Sequence, residues 1–96
     1  MPLGFIAHMD TADDASGENV NPQIHPNYDG GKVVLPATGT VLDPAQFPFL
    51  TEMKGQTLIT TDGSTLLGAD DKAGVSEIMT MLERVIAEKR PHGKLC

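Results

Sequence analysis

Two short motifs in this 96-residue chain combine residue types that can do chemistry, and the first is His8-Met9-Asp10. Side chains two positions apart on an extended backbone point to the same face, so the Asp10 carboxylate can accept the distal ring N–H of His8. A carboxylate in that position fixes the tautomer of a metal-binding histidine and makes it a better ligand. Taken alone, the H-x-D spacing is weak evidence, because a surface histidine beside an acid is commoner.

The second motif is the Asp70-Asp71 pair, which lies between small residues in the stretch 68–74 (GADDKAG). Adjacent carboxylates repel each other unless a cation or hydrogen-bond donors compensate. One carboxylate can bridge two metal ions, so the pair suggests a cation site. The alternative is a helix N-cap, a role in which aspartate is common and contributes about 1 kcal/mol. The N-cap would explain one aspartate, and the second favours the cation site.

Three runs of apolar or β-branched residues predict the strands that must position these motifs: residues 3–7, 57–60 and 64–67. The first is expected to be a buried strand, and the turn dipeptide Asp62-Gly63 would join the other two as a hairpin. Open α/β sheets place ligands at the carboxyl ends of their strands. The first motif directly follows residues 3–7, which suits that placement.

One helix is predicted over residues 72–89, ended by Pro91. Acidic residues precede it and basic residues close it, as the helix dipole favours. Its apolar residues repeat with helical spacing on one face. They are Val75, Ile78, Met79, Leu82, Val85 and Ile86.

Residues 11–48 are rich in turn signals and predict a long loop, within which residues 32–35 could form one short strand. Connections of this length usually belong to functional regions. Residues 94–96 look like the start of a further strand. The expected fold class is α/β with a mixed sheet, incomplete at both ends.

Composition excludes several classes of protein. The net charge of −6 argues against nucleic-acid binding, which needs basic residues to displace counterions from phosphates. The chain has one cysteine, Cys96, lacks a secretory signal and has no apolar run long enough for a membrane helix, so we expect a cytoplasmic protein. His25 and His92 lie in loop-like surroundings without evident partners and receive no role.

The order of the two motifs resembles that of the co-catalytic zinc exopeptidases. Longer strings, at residues 16–24, 27–31 and 55–74, are similar to the peptidase T (aminotripeptidase) family. The resemblance covers essentially the whole chain. It implies a cytoplasmic α/β catalytic domain that uses two zinc ions to remove the N-terminal residue from tripeptides.

The resemblance also assigns roles to individual residues. It implies that His8 binds one zinc, that Asp70 bridges both, and that Asp10 is the residue of the catalytic site that orients the histidine. It further implies a cis peptide bond between Asp70 and Asp71. In the complete enzyme zinc would lower the pKa of a bound water, and a glutamate would take its proton.

The family's paired glutamates, its later aspartate and histidine ligands and its smaller domain have no counterpart in this sequence. We therefore expect residues 1–96 to be part of a catalytic domain that is inactive alone. The alternative is a non-catalytic metal-binding or interaction module. In either case the apolar edges at residues 3–7 and on the helix stripe could support self-association.

Overall fold

The computed structural model describes residues 2–96 and consists of two compact units. The first unit combines the amino-terminal residues up to Ala12 with residues Gly68–Cys96. The second is continuous in sequence and runs from Asp13 to Leu67. Both motifs singled out above belong to the first unit.

Helix α1 spans Ala69–Ala87 and is the main element of the first unit. Asp70 (φ −90°, ψ 107°) and Asp71 (φ −120°, ψ 32°) have non-helical dihedrals, so regular helical geometry begins at residue 72, as expected. The helix ends two residues before the predicted position, where the Glu88 N–H donates to the Arg84 carbonyl.

The apolar stripe of α1 is partly covered and partly exposed. No residue of the helix is fully buried, and Met79 and Ile86 are exposed. One end of the stripe forms an apolar pocket of about 300 Å³ with residues that precede the first motif. The pocket is lined by Phe5, Ile6, Ala7, Met9, Val75, Ile78 and Met79.

The predicted buried strand at residues 3–7 is wrong for the described part of the chain. Only Leu3 is paired there, in a single parallel bridge to Leu95, and Ile6 is 96% exposed. A strand requires hydrogen-bonding neighbours along its length, and apolar composition alone does not supply them. Leu95 lies in the short run that was expected to begin another strand.

Two small antiparallel sheets form the second unit. Strand β1 (Gln23–His25) pairs with β4 (Leu58–Thr60), and β2 (Val33–Val34) pairs with β3 (Val41–Leu42). Strands β2 and β4 confirm two of the predicted runs. The stretch 11–48, expected to be loop apart from residues 32–35, contributes two further short strands, β1 and β3.

The predicted strand at residues 64–67 is wrong, because the chain turns away from β4 after Gly63. The Asp62 carboxylate accepts hydrogen bonds from both the backbone N–H (2.9 Å) and the hydroxyl (2.5 Å) of Ser64. This aspartate-centred turn directs the chain toward Ser16, whose carbonyl accepts the Leu66 N–H at 2.8 Å. No hairpin forms, and β1 takes the place beside β4.

A small apolar core holds the second unit together. A 3-10 helix, Pro48–Met53, supplies Leu50, which is 3% exposed and the most buried side chain of the core. The Tyr28 hydroxyl lies next to this core and donates to the Gly31 carbonyl. The core residues are Tyr28, Val33, Leu35 and Leu50, with Leu42, Met53 and Leu58 packed against them.

Small sheets together with one long helix are compatible with the α/β class. Both sheets are antiparallel, and the one parallel pairing among residues 2–96 is the Leu3–Leu95 bridge. None of the described helices has the length and apolar character required to cross a bilayer.

Candidate metal centre

His8 lies between two acidic residues of the first unit. Its Nδ1 is 3.0 Å from the backbone carbonyl of Asp10 and 3.2 Å from the carboxylate Oδ1 of the same residue. Its Nε2 is 3.1 Å from Oδ1 of Asp70, which is 62 positions away in sequence. The structure therefore brings together all three residues selected from the sequence.

The His8-Met9-Asp10 segment has the alternation expected of an extended backbone. His8 and Asp10 lie on the same side, as their close contact requires. Met9 lies in the apolar pocket with residues of α1. Met9 itself is 74% exposed, so the polar contacts of His8 with Asp10 and Asp70 are what hold the imidazole toward the start of the helix.

The electrostatics of the site favour a positive charge at the imidazole. The pKa of His8 is raised above its ordinary 6.5, mainly because the ring donates to the Asp10 carbonyl and also because it donates to the Asp70 carboxylate. Both contacts are hydrogen bonds only when both ring nitrogens carry protons. A metal ion could replace the proton on Nε2, since it occupies the same lone pair, while Nδ1–H still donates to Asp10.

Zinc chemistry fits the geometry of His8 and Asp70. Nitrogen and oxygen donors around one tetrahedral zinc lie roughly 3.4 Å apart, given Zn–N and Zn–O bonds of about 2.1 Å. The observed His8 to Asp70 separation is a few tenths of an ångström shorter, so a small side-chain movement would make both donors available to one ion. The side chains are 54% and 94% exposed, which leaves room for water or further ligands.

The donor set is nevertheless incomplete within the described part of the chain. Among residues 2–96 no group of three or more His, Cys, Asp or Glu side chains is arranged to hold a metal ion. Asp10 faces the opposite ring nitrogen and supports the histidine without adding a third donor. A zinc site usually has three or four protein ligands, so these residues amount to part of a site.

The two aspartates at the start of α1 have different surroundings. Asp70 is exposed and contacts His8, whereas Asp71 is half-buried beside the first helical turn. The peptide bond between them is cis, as the resemblance implied. The N-cap of α1 is Gly68, without a side-chain capping hydrogen bond, so the N-cap role that was the alternative at the level of sequence falls on neither aspartate.

Two of the small residues that flank the aspartates in sequence also shape the site. Gly68 has a left-handed conformation (φ +76°), and a Cβ there would lie 3.2 Å from Nζ of Lys72 and 3.7 Å from Cγ2 of Thr11. Gly74 faces the Asp71 carboxylate closely. The sequence signal for the latter is the D-x-x-G spacing, which places a residue without a side chain opposite the Asp71 carboxylate.

The other two histidines hydrogen-bond to other groups, and His25 lies in strand β1 and not in the loop-like surroundings expected from the sequence. His25 Nε2 is 3.1 Å from Oγ1 of Thr60 in the second unit. His92 Nδ1 is 2.8 Å from the carbonyl of the adjacent Gly93. Neither belongs to a group of metal-binding side chains among residues 2–96.

Comparison with known proteins gives a consistent result. No protein-family model matches the chain. It is 59% identical over 93 residues to peptidase T of Edwardsiella ictaluri, and 58% identical over 93 residues to peptidase T of Pectobacterium carotovorum and of Escherichia coli K12. Each match covers 97% of this chain and 23% of the relative, so the chain spans less than a quarter of the length of these curated relatives.

Proposed function

The chain is similar to peptidase T over nearly its whole length, and on this premise we propose that it supplies part of the two-zinc centre of a tripeptide aminopeptidase. In the complete enzyme this centre would hydrolyse the first peptide bond of a tripeptide. The observation that carries the proposal is the position of His8, whose two ring nitrogens face Asp10 and Asp70.

The proposed roles follow from the contacts of each side chain. His8 would bind one zinc through Nε2, and Asp70, next to that nitrogen, would be a ligand shared by both ions. Asp10 would hold the ring through Nδ1, so it is a positioning residue. When bound, zinc would supply a water of lowered pKa and would polarise the scissile carbonyl.

The substrate class rests on the resemblance, and the chemistry of the described residues restricts what this chain can do alone. A general base within reach of the attacking water is needed for hydrolysis. Asp10 and Asp70 are both engaged by His8, and no third donor joins them among residues 2–96. We therefore expect the 96-residue chain to be inactive as a peptidase.

A non-catalytic metal-binding module is the second candidate, and the two-donor set favours it. Two side chains suffice for weak metal binding without supplying the groups that activate water. The two proposals differ in whether the segment can restore catalysis when the rest of a peptidase T surrounds it. That difference can be tested directly.

The test is a segment exchange. Residues 1–96 replace the corresponding segment of Escherichia coli peptidase T, to which they are 58% identical. We expect the chimera to hold two zinc ions and to hydrolyse tripeptides. We expect His8→Ala and Asp70→Ala to lower the activity at least 100-fold and to reduce the zinc content.

His92→Ala is the matched control, because this histidine contacts only its neighbouring carbonyl. It should leave zinc content and activity unchanged. A folded chimera that binds zinc through His8 without hydrolysing any tripeptide would support the non-catalytic module. Turnover by the isolated 96-residue chain, abolished by Asp70→Ala, would contradict the expected inactivity.

Binding by the chain itself is the second measurement. We expect Zn²⁺ added to the 96-residue chain to shift the imidazole NMR resonances of His8 at lower concentration than those of His25 and His92. The reason is that only His8 has a carboxylate beside one ring nitrogen and a supporting acid beside the other. An equal response of all three histidines would contradict the assignment of the site.

A further inference from the structure

Gly74 and Asp71 make an unusually close approach at the start of α1. A Cβ atom added at Gly74 would lie 2.6 Å from Oδ1, 2.9 Å from Cγ and 2.9 Å from Oδ2 of Asp71. The whole carboxylate therefore occupies the space that a side chain at position 74 would need. Gly74 lies in the regular part of the helix, where glycine is disfavoured by about 1 kcal/mol relative to alanine.

The contact also fixes where the negative charge of Asp71 lies. Asp71 immediately precedes the first residue with helical dihedrals, so its carboxylate lies beside the first turn, where unpaired backbone N–H groups favour an anion. Asp70, the adjacent residue, directs its carboxylate toward Nε2 of His8. The two charges are thus held in different places, although adjacent carboxylates repel.

We infer that Gly74 and Asp71 are positioning residues for the metal-site carboxylate of Asp70. Gly74 leaves the space in which the Asp71 carboxylate rests against the helix, and this arrangement leaves the side chain of Asp70 free to face His8. The inference rests on the proposed function, since it concerns the same site.

The geometry explains why a methyl group at position 74 would disturb the neighbouring aspartate. Rotation of the carboxylate about its last bond cannot relieve the contacts, because Cγ itself would lie 2.9 Å from the new Cβ. The side chain must instead rotate about its first bond, which moves the negative charge of Asp71 away from the helical turn. A displaced carboxylate repels that of Asp70 or competes with it for the cation.

The test is a Zn²⁺ titration of the 96-residue chain and its variants, followed through the imidazole resonances of His8. Gly74→Ala should raise the zinc concentration at the midpoint about 10-fold, the lower end of what loss of a supporting contact costs in metal affinity. Asp71→Ala should also raise it. In the Asp71→Ala background, Gly74→Ala should add less than 2-fold, because the methyl group then fills vacated space.

Thr80→Ala is the control for helix propensity. Thr80 is exposed on α1, so this change strengthens the helix without touching either aspartate. It should leave the zinc midpoint unchanged. Circular dichroism of each variant reports whether α1 is intact, so that loss of the helix is distinguished from misplacement of Asp70.

The outcomes separate the inference from the proposed function. A Gly74→Ala chain with an unchanged midpoint overturns the inference alone. The inference is also overturned if Gly74→Ala raises the zinc midpoint equally with and without the Asp71 carboxylate, because the effect of the glycine would then not depend on Asp71. If Zn²⁺ does not shift His8 in the unsubstituted chain, the proposed function is overturned and the inference with it.

Discussion

At the scale of single residues, the two acids beside His8 contact different nitrogens of the imidazole ring. Asp10 contacts Nδ1 through its backbone carbonyl as well as its carboxylate, so part of this support does not depend on the side chain. Asp70 contacts Nε2 through its carboxylate alone. Substitution of the two acids should therefore have unequal effects on metal binding.

Asp10→Asn should weaken zinc binding at His8 less than Asp70→Asn does. The first change keeps the carbonyl that accepts the Nδ1 proton, whereas the second removes the charge of the proposed ligand. We expect a loss of less than about 10-fold for Asp10→Asn and more than about 10-fold for Asp70→Asn. Zn²⁺ titrations followed at His8 measure both, and equal losses would contradict the assigned roles.

Asp62 provides a pH-dependent contribution to the second unit. Its pKa lies below the ordinary 3.8, mainly because the Ser64 hydroxyl and then the Ser64 N–H donate to the carboxylate, with Asn21 as a further donor. A carboxyl whose folded pKa is lowered stabilises the fold above its unfolded pKa. That stabilisation is lost as the pH falls below about 3.8 and through the folded pKa.

We expect Asp62→Asn to be less stable than the unsubstituted chain at pH 6, and the difference to shrink below about pH 3.8. Urea unfolding at a series of pH values measures it. If the stability difference were the same at pH 6 and pH 2, the hydrogen bonds to Asp62 would not depend on its charge.

At the scale of elements, the turn after β4 shows what the sequence could and could not predict. The residues of β2, β4 and α1 carry their own signals, namely β-branched runs and a helical apolar stripe, and these elements form where predicted. The predicted hairpin does not form, because the Ser64 N–H donates to the Asp62 carboxylate and the chain turns away from β4. The turn dipeptide alone does not indicate which segment pairs with β4.

The sequence also does not predict which distant strands pair with each other. β1 pairs with β4 across more than 30 residues, and no periodicity in β1 identifies that partner. The same limit applies to the candidate site. Residue types and spacing identified His8, Asp10 and the Asp70-Asp71 pair as candidates, and the resemblance selected Asp70 as the metal ligand. The close approach of the Asp71 carboxylate to Gly74 cannot be predicted from the sequence, because it depends on the side-chain conformation of Asp71.

Gly63→Ala should destabilise the second unit more than Gly39→Ala does. Both glycines have positive φ, +100° and +69°, which alanine adopts at a cost. At Gly63 a methyl group would also overlap Oγ1 of Thr38 and approach Cβ of Leu35 to 3.0 Å, whereas nothing lies within 4 Å at Gly39. The difference between the free energies of unfolding of the two variants, measured in urea, gives the cost of the steric overlap at Gly63. Equal losses of stability would mean that the turn shifts to accommodate the methyl group.

Leu50→Ala should be far more destabilising than Phe49→Ala in the same 3-10 helix. Leu50 is 3% exposed in the core, and truncating a buried leucine costs about 2–5 kcal/mol. Phe49 is 54% exposed and has less contact area to lose. The free energies of unfolding of the two variants measure the difference. A larger loss of stability in Phe49→Ala would contradict the assignment of Leu50 to the core.

At the scale of the whole molecule, apolar surface is abundant. In the first unit Ile6, Met79 and Ile86 are exposed, and in the second the cross-strand pair Ile24 and Ile59 is exposed as well. Contiguous apolar surface usually marks contact with another protein or a tendency to associate. The self-association expected from the sequence therefore has specific residues that can be tested.

Ile6→Lys and Met79→Lys should each reduce self-association of the chain, because a charge in the apolar pocket of the first unit opposes its burial. Sedimentation velocity over a range of concentrations measures the effect. Thr80→Lys adds the same charge at an exposed polar position on the same helix and should change association little. Similar effects from all three would indicate that net charge, and not the pocket, governs association.

The discontinuity of the first unit has a consequence for biosynthesis. His8 leaves the ribosome 62 residues before Asp70, and the whole second unit is translated in the interval. Contiguous units generally fold during synthesis as they emerge, and α1 cannot form before its residues are made. His8 and Asp70 on the nascent polypeptide therefore meet only after the second unit has had time to fold, and a site that needs both side chains cannot assemble earlier.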